Sequence, residues 1–444
     1  MAPPIGFRLP RVCLPSPGID MKRWAVVACD QYTAEPQVWQ QLSQKVGDAP
    51  STLHLILPEA HLGAADEPER IRSIQHTMRH YLADGLLHER DAAVLVERRL
   101  GKHTRRGLLL ELDLEHYDFR ADSTSLIRPT EGTMVARLAP RIAVRTGAEL
   151  EVPHVLVLID DPQRTVIEAL AADAPALEKL YDTDLMLGGG HVTGYAVDAT
   201  RAARAVQALQ ALAEPEAFAA RYGVPSGTPP MLFAVGDGNH SLATAKSMWD
   251  SVKATLSAQH RSRYALVEVV NIHDPAVEFA AIHRLLFGVG VDVRQALADF
   301  FGSRVNCIEV ASADAMRQRV QAAPETLHAA GLIGPGERFC VVEITEPASS
   351  LPVATFQTFI DRLIEQGGAA KVDYVHGDAV LERLSVQQDR AGFHLAAVGK
   401  SQLLRRVVRE GPMPRKAFSM GEAHEKRFYV ESRRIRESAD LPPP

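Results

Sequence analysis

The chain of 444 residues lacks most features that announce a protein class at sight. It has four cysteines, Cys13, Cys29, Cys307 and Cys340, far apart and with no Cys-x-x-Cys pair. A zinc ribbon and a thioredoxin-like motif are therefore unsupported, and reduced thiols in a cytosol are the expectation. No apolar run approaches the roughly 18 residues that a membrane-spanning helix needs. The proline-rich start, MAPPIGFRLPRVCLPSPG, has no continuous apolar core and does not read as a secretion signal. A cytoplasmic location is expected. A basic excess is also missing: 49 Lys and Arg face 55 Asp and Glu, for a net charge of −6. General nucleic-acid binding is disfavoured, while a local basic pocket is still allowed. There is no internal repeat, no low-complexity tract and no basic helix-turn-helix.

What is present is ordinary globular material, 46% hydrophobic and 23% charged, in a chain too long for one ordinary domain. Apolar strands alternate with helical patterns without the regular rhythm of a doubly wound sheet, so a mixed α/β (α+β) architecture is expected. Four regions are expected: an N-terminal α/β region over 1–125, a central region over 126–289 with most polar motifs, a peripheral α/β subdomain over 290–370, and a C-terminal segment over 371–444 packing back on the core.

The most informative stretch is LFAVGDGNHSLATAK, residues 232–246, where an apolar strand hands over to a helix through Gly-Asp-Gly. Gly236 and Gly238 allow a sharp turn or a close backbone approach. A helix starting near Asn239 aims unpaired N–H groups and a positive dipole end at the turn, which suits a phosphate. His240 and Ser241 add donors, Lys246 adds charge, and Asp237 can hold a metal ion or take a proton. The same residues also serve as a plain helix cap. The spacing is neither that of a Walker A loop nor that of a dinucleotide fingerprint.

Other turns carry similar chemistry. RPTEGT, residues 128–133, offers Arg128 and the hydroxyls of Thr130 and Thr133 to a substrate anion and Glu131 as a general base. A local ion pair in a surface turn is the competing reading. Asp160, with Asp161 at the end of VPHVLVLIDDP, is a candidate Mg²⁺ ligand. His191, at the end of Gly188-Gly189-Gly190-His191, sits at a phosphate-sized turn or a plain hairpin tip. DYVHGD offers Asp373, His376 and Asp378 as a metal or acid–base set. Arg415, Lys416 and Ser419 precede an expected helix start at Gly421-Glu422 and suit an anion, or form a solvated basic face.

Taken together, WAVVACDQYTAEPQVW, RPTEGT, VPHVLVLIDDP, LMLGGGH, GDGNHSLATAK, DYVHG and PRKAFSMGEAHEKRFY resemble a prokaryotic family catalogued as a domain of unknown function (number 1015). The resemblance spans nearly the whole chain and is weakest over 290–370. Asp237-Gly238-Asn239-His240-Ser241 also looks like the Gly-x-His-Arg box of the ParB and sulfiredoxin superfamily, some of whose members are free serine kinases. That resemblance implies a ParB/sulfiredoxin-like core with a mixed sheet, a bound nucleotide and phosphoryl chemistry. Here a serine, Ser241, replaces the box arginine, so bidentate phosphate binding is lost at that position. Arg137, Arg141, Lys246 or Arg284 is expected to replace its charge, with Arg284 favoured on a helix.

These readings converge on a phosphotransferase acting on a small hydroxylated metabolite, with a free amino acid such as serine as first candidate. Mg²⁺ with ATP, ADP or pyrophosphate would supply the phosphoryl group. Catalytic roles fall to Glu131, Asp237 and His240, and metal ligation to Asp160 and Asp237. The partner is a small molecule, with neither nucleic acid nor membrane expected, and a homodimer is compatible. A non-enzymatic nucleotide-dependent switch and a small-molecule phosphatase are the alternatives.

Overall fold

The computed structural model describes residues 5–33, 35–134, 138–324, 326–414 and 416–436. Chain contacts divide it into two units rather than four consecutive regions. Unit one comprises Met1–Glu278, Leu404–Pro412 and Gly421–Pro444, and unit two comprises Phe279–Leu403 and Met413–Met420. Residues 290–370 thus belong to a larger unit that also takes in both of their flanks.

Unit one is built on strands β1 (Phe7–Arg8), β2 (Ala93–Leu100), β3 (His103–Asp113), β4 (Ile127–Pro129), β5 (Leu156–Ile159), β6 (Glu178–Asp184), β7 (His191–Val197), β8 (Phe233–Asp237) and β9 (Tyr264–Asn271). They form a nine-stranded sheet in the order β6-β7-β2-β3-β9-β5-β8-β4, with β1 beside β3. Pairing is mixed: β4 runs parallel to β8 and β5 parallel to β9, while β5 and β8 are antiparallel. Side-chain alternation sorts the sheet into two buried faces. On β3, Leu108, Leu110 and Leu112 join a core with Ala202, Ala205 and Leu209 of the helix Ala199–Leu212. Leu109 points the other way, into a core with Val26, Trp39, Phe428 and Tyr429.

RWAVVACDQY forms only the two-residue strand Val26–Val27, and HLILPEAHL forms two 3-10 turns, Thr52–Leu55 and Glu59–His61, separated at Pro58. The alanine-rich helix breaks before Pro215, which starts a second helix, Pro215–Tyr222. Proline has no N–H to continue the first helix and is suited to an N-terminal turn.

In unit two the strands are β10 (Phe279–Phe287), β11 (Val305–Val310), β12 (His328–Gly334), β13 (Arg338–Ile344), β14 (Lys371–His376), β15 (Arg390–His394) and β16 (Phe418–Met420). The sheet runs β11-β13-β12-β15-β10-β14, with β16 also on β10. The stretch holding Ile282-His283-Arg284, expected as a helix, is β10. It is hydrogen-bonded along both edges, and that pairing overrides the local pattern.

The C-terminal segment Glu422–Arg436 is threaded into unit one by buried charge. Arg427 donates to Glu268 Oε2 on β9 at 2.8 Å, to Glu431 Oε2 at 2.6 Å and to the Pro153 carbonyl. Arg433 donates to Glu151 Oε1 at 2.7 Å and lies 3.4 Å from Glu111 Oε2. Arg98 on β2 donates to the carbonyls of His424 and Lys426. Burial alone would raise the Glu151 carboxyl, but Arg433 and Arg145 hold it below the ordinary range. A buried ion pair is weak evidence of net stabilisation, yet breaking one leaves an uncompensated charge. Arg433→Ala is expected to lower the unfolding free energy by about 3–5 kcal/mol. Urea denaturation checks this, and a loss below ~1 kcal/mol shows that Glu151 and Glu111 find other partners.

Candidate functional site

Helices α1 (Leu138–Arg145) and α2 (Asn239–Val252) flank the edge where β4, β5 and β8 meet. β8 ends at Asp237, and Gly238 turns the chain with φ +77°, a left-handed conformation. A Cβ at Gly238 would lie 3.0 Å from the Val155 Cα, so only glycine lets this turn approach the chain entering β5. Because β5 and β8 are antiparallel, Asp237 pairs with Leu156 and His154 comes to the same edge. β4 is parallel to β8, with Pro129 opposite Val235, so Glu131 leaves the sheet beside Asp237. Three residues after Glu131, the Met134 N–H donates to His240 Nε2 at 3.3 Å. Three residues of chain span at most about 11 Å, so the Glu131 turn and the start of α2 share one mouth.

No side chain caps α2, and its first residues are partly exposed. Asn239 Oδ1 and Thr133 Oγ1 are buried at this mouth without a hydrogen-bond partner among the described residues. The opening therefore combines helix-end N–H groups with polar atoms that no described residue satisfies.

A relay adjoins the mouth. The Cys29 N–H donates to Tyr429 Oη at 3.0 Å, Tyr429 Oη lies 2.8 Å from His154 Nδ1, and His154 Nε2 lies 3.0 Å from Ser241 Oγ. Asp30 Oδ2 is 3.8 Å from the same Nε2. Burial works to raise the Asp30 carboxyl, but His154, the Gln31 amide and Lys426 outweigh it and hold it below the ordinary range. An ionised Asp30 favours the proton on Nε2, so His154 donates toward Ser241 and leaves the serine hydroxyl proton for a ligand. Burial pushes the Cys29 thiol up to about 12 and the Tyr429 phenol well above its ordinary value, so both stay neutral.

The cation facing this mouth is Lys426, whose Nζ lies 3.1 Å from Asp237 Oδ2 and whose charge also acts on Asp30. Sequence reasoning missed Lys426, Asp30, His154 and Tyr429. The only signals were a lone polar residue at the end of one apolar run, a histidine before another, and the tight cluster HEKRFY. Of the four cations expected, Arg141 lines a cavity with Ser241 and pairs with Glu59. Lys246 is spent on Asp250 one turn further along α2, at 3.0 Å. Arg284 lies fully buried in unit two, donating to Gln357 Oε1 and to the carbonyls of Ile282 and Lys416. Its strand gives its guanidinium to that unit's own interior. Arg137 and Arg415 lie outside the described residues.

Other expectations are corrected by register. Asp160 sits at the far end of β5, roughly 13 Å along the strand from Leu156 at about 3.3 Å per residue. There it accepts from Tyr222 Oη at 2.7 Å and pairs with His273 Nε2 at 2.7 Å. It is not in place to share a metal with Asp237. Arg128 is buried and spends its guanidinium on the carbonyls of Thr124, Ser125 and Pro229. Thr130 Oγ1 is taken up by the Val235 carbonyl at 2.6 Å. His191 is held between Asp182 and Asp184 on β7, five strands from β8 in the sheet. Lys416 and Ser419 belong to unit two, where Ser419 lies on β16, while the short 3-10 turn that follows, Ala423–Glu425 capped by Glu422, belongs to unit one.

The DYVHGD motif also lies in unit two. Among the described residues, His283, Asp378 and His394 are the group of three able to hold a metal ion. Asp378 Oδ1 lies 2.9 Å from His283 Nε2 and 3.2 Å from His394 Nε2. The Leu395 N–H donates to His283 Nδ1 at 3.2 Å, so that nitrogen carries no proton. The proton must sit on Nε2 and be donated to Asp378, which leaves that imidazole no lone pair for a metal. Burial and neighbouring His394 push the His283 imidazole down to about 4, so it is neutral near neutral pH and the cluster is a hydrogen-bonded knot.

The fold and site thus define a mixed α+β protein whose central sheet delivers a strand–turn–helix opening suited to an anion. The chain belongs to the family described as a protein of unknown function (DUF1015), whose model matches residues 13–364. No curated protein matches it. Among solved structures it is similar to a conserved hypothetical protein from Pyrococcus furiosus, at 12% identity and a TM-score of 0.36, covering 75% of this chain and 94% of that one. A free serine kinase variant in complex with AMP is similar at 12% identity and a TM-score of 0.39, covering 76% and 94%. SbnI with a C-terminal truncation, from Staphylococcus aureus, is similar at 12% identity and a TM-score of 0.33, covering 73% and 81%. No helix among the described residues is long and apolar enough to cross a membrane.

The Asp30 carboxyl makes a pH prediction. A carboxyl whose folded pKa lies below its unfolded value, ~3.9 for Asp, stabilises the fold above about pH 4. That contribution is lost as pH falls through the folded pKa. Asp30→Asn should therefore cost stability near neutrality, with the gap from wild type narrowing below about pH 4. Chemical denaturation at several pH values checks this, and a pH-independent gap assigns Asp30 a purely steric role.

Proposed function

We propose that the protein is a phosphotransferase that moves a phosphoryl group from a nucleotide or pyrophosphate to a small hydroxylated metabolite, a free amino acid among the candidates. The observation that carries this is the start of α2, which has no side-chain cap, is faced by Lys426 and has beside it the Thr133 hydroxyl, a donor without a partner among the described residues. A helix end alone is worth about 0.3–1 kcal/mol per charge, too little to hold a phosphate tightly. An adjacent ammonium and several donors make such a site competent.

In this reading the N–H groups of Asn239, His240 and Ser241 and the Lys426 ammonium hold the donor's phosphates. Gly236 and Gly238 keep the turn clear of side chains. Glu131 takes the proton from the acceptor hydroxyl as its oxygen forms the new P–O bond, while the bridging P–O bond breaks and the nucleoside diphosphate (from ATP), nucleoside monophosphate (from ADP) or phosphate (from pyrophosphate) leaves. Catalysis here is positioning and charge neutralisation. Asp237 and Asp30 both face Lys426, and one or two carboxylates are what Mg²⁺ usually takes beside phosphates. They would hold that ion, which supplies charge neutralisation at the transferring group.

Thermal unfolding with ATP, ADP and pyrophosphate, with and without Mg²⁺, tests the reading. A ligand at a hundredfold over its dissociation constant stabilises the native state by about 2.7 kcal/mol. That gain should vanish in Lys426→Met. If none of the three ligands shifts the wild-type protein, the phosphotransferase reading is wrong. Glu131→Gln should lower turnover by roughly 10²–10⁴-fold while leaving the ligand-induced shift intact. Wild-type turnover in that variant assigns Glu131 to the turn's structure.

A further inference from the structure

Unit one holds a cavity of about 160 Å³ against the relay. Most of its wall is apolar, from Leu57, Leu62, Met78, Val144 and Val152. Ser241, His154 and Tyr429 stand on its polar side, together with the ion pair between Arg141 and Glu59. The Glu59 N–H donates to the Cys29 carbonyl at 2.8 Å, and the Cys29 N–H donates to Tyr429, which ties the ion-pair turn to the relay. The pair is mostly withdrawn from solvent, with side-chain exposures of 16% for Arg141 and 19% for Glu59. A second pair, Arg145 with Glu151, also reaches the cavity, but Glu151 is already committed to Arg433 and the Leu266 N–H.

The chemistry of the two walls is that of a small amphiphile. A dry, aliphatic cavity of about 150 Å³ accepts a molecule the size of benzene. Serine carries nothing to fill such a space. A guanidinium and a carboxylate side by side complement a carboxylate and an ammonium, and a bound zwitterion exchanges for the internal pair without stranding either charge. We infer that the acceptor is an amino acid with a hydroxyl next to its zwitterionic head and an apolar body of branched-chain to single-ring size. The head lies on Arg141 and Glu59, the hydroxyl on the Ser241 side, and the body in the apolar cavity. This rests on the phosphotransferase reading, because it names the acceptor of that reaction.

The two probes are L-serine and L-threo-3-phenylserine, which share head and hydroxyl and differ by one ring. Calorimetric titration of the wild-type protein should show 3-phenylserine binding about 10-fold or more tightly. Val144→Trp, which fills the cavity from a partly exposed helix position, should abolish that preference. Arg141→Gln should weaken both ligands and leave their ratio unchanged. Equal binding by the wild type, or a preference that survives Val144→Trp, overturns the inference. Unchanged affinities in Arg141→Gln overturn the placement of the head. ADP and pyrophosphate titrated into the same samples separate the two ideas. Nucleotide binding without a ring preference defeats the cavity assignment alone. A ring preference with neither phosphate ligand binding defeats the phosphotransferase reading and leaves an amino-acid pocket.

Discussion

The site depends on a buried arginine. Arg427 is the residue around which the C-terminal segment of unit one is pinned, and it sits between two carboxylates and a carbonyl with almost no contact with water. Each partner comes from a different part of the chain: Glu268 from β9, Pro153 from the turn before β5, and Glu431 from the segment itself. A guanidinium spreads five donors over a rigid planar fork, so it reaches all three acceptors at once from a fixed position. The cost of burying that charge forces the alignment to be specific. Residues close to it in the segment reach the candidate site. Lys426 is carried to Asp237, and Tyr429 to His154 and Cys29.

The second constraint is strand direction. β4 and β8 run parallel and therefore bring their carboxyl ends, with Glu131 and Asp237, to one edge. β5 runs against β8 and brings its amino end to that edge. A histidine before β5 is thus a neighbour of the α2 turn, and two aspartates after β5 are not. The apolar run VPHVLVLIDDP by itself carries no direction relative to β8, so the sequence alone does not show that its histidine end, and not its aspartate end, lies beside the α2 turn. Asp161 is instead a local cap, accepting from the Val166 N–H at 2.9 Å.

This is also where legibility in the sequence ended. The strand–turn–helix over 232–246, the helix Glu67–Ala83 and the hairpin of β2 and β3 are all local events, fixed by glycine, capping and alternation, and they could be read directly. The Glu131 turn was legible for the same reason. Asp30, His154, Lys426 and Tyr429 are single polar residues with no shared local pattern. Only long-range pairing relates them, with separations of up to 400 positions. β10 was misread because its surroundings, not its own residues, decide between helix and strand. Arg284 followed it into error, since a charge on a strand paired along both edges has little freedom to leave its own unit.

Ser241 stands where the Gly-x-His-Arg box that this turn resembles has its arginine, and its surroundings suit a serine. Under the phosphotransferase reading, a guanidinium at that position would press against His154, whose Nε2 lies 3.0 Å from Ser241 Oγ. It would also add a second fixed positive charge beside Lys426. A serine keeps the relay intact and moves the cation to a flexible stem anchored elsewhere. Lys426 is held at Asp237 by one ammonium contact rather than by a two-pronged clasp. A phosphate arriving at the start of α2 competes with Asp237 for that ammonium, and the ammonium has three donors and a short distance to move. Under that reading the ammonium passes from Asp237 to the incoming anion, a move that a buried arginine held between carboxylates, such as Arg427, cannot make: Arg427 holds the segment in place, and Lys426 would meet the ligand.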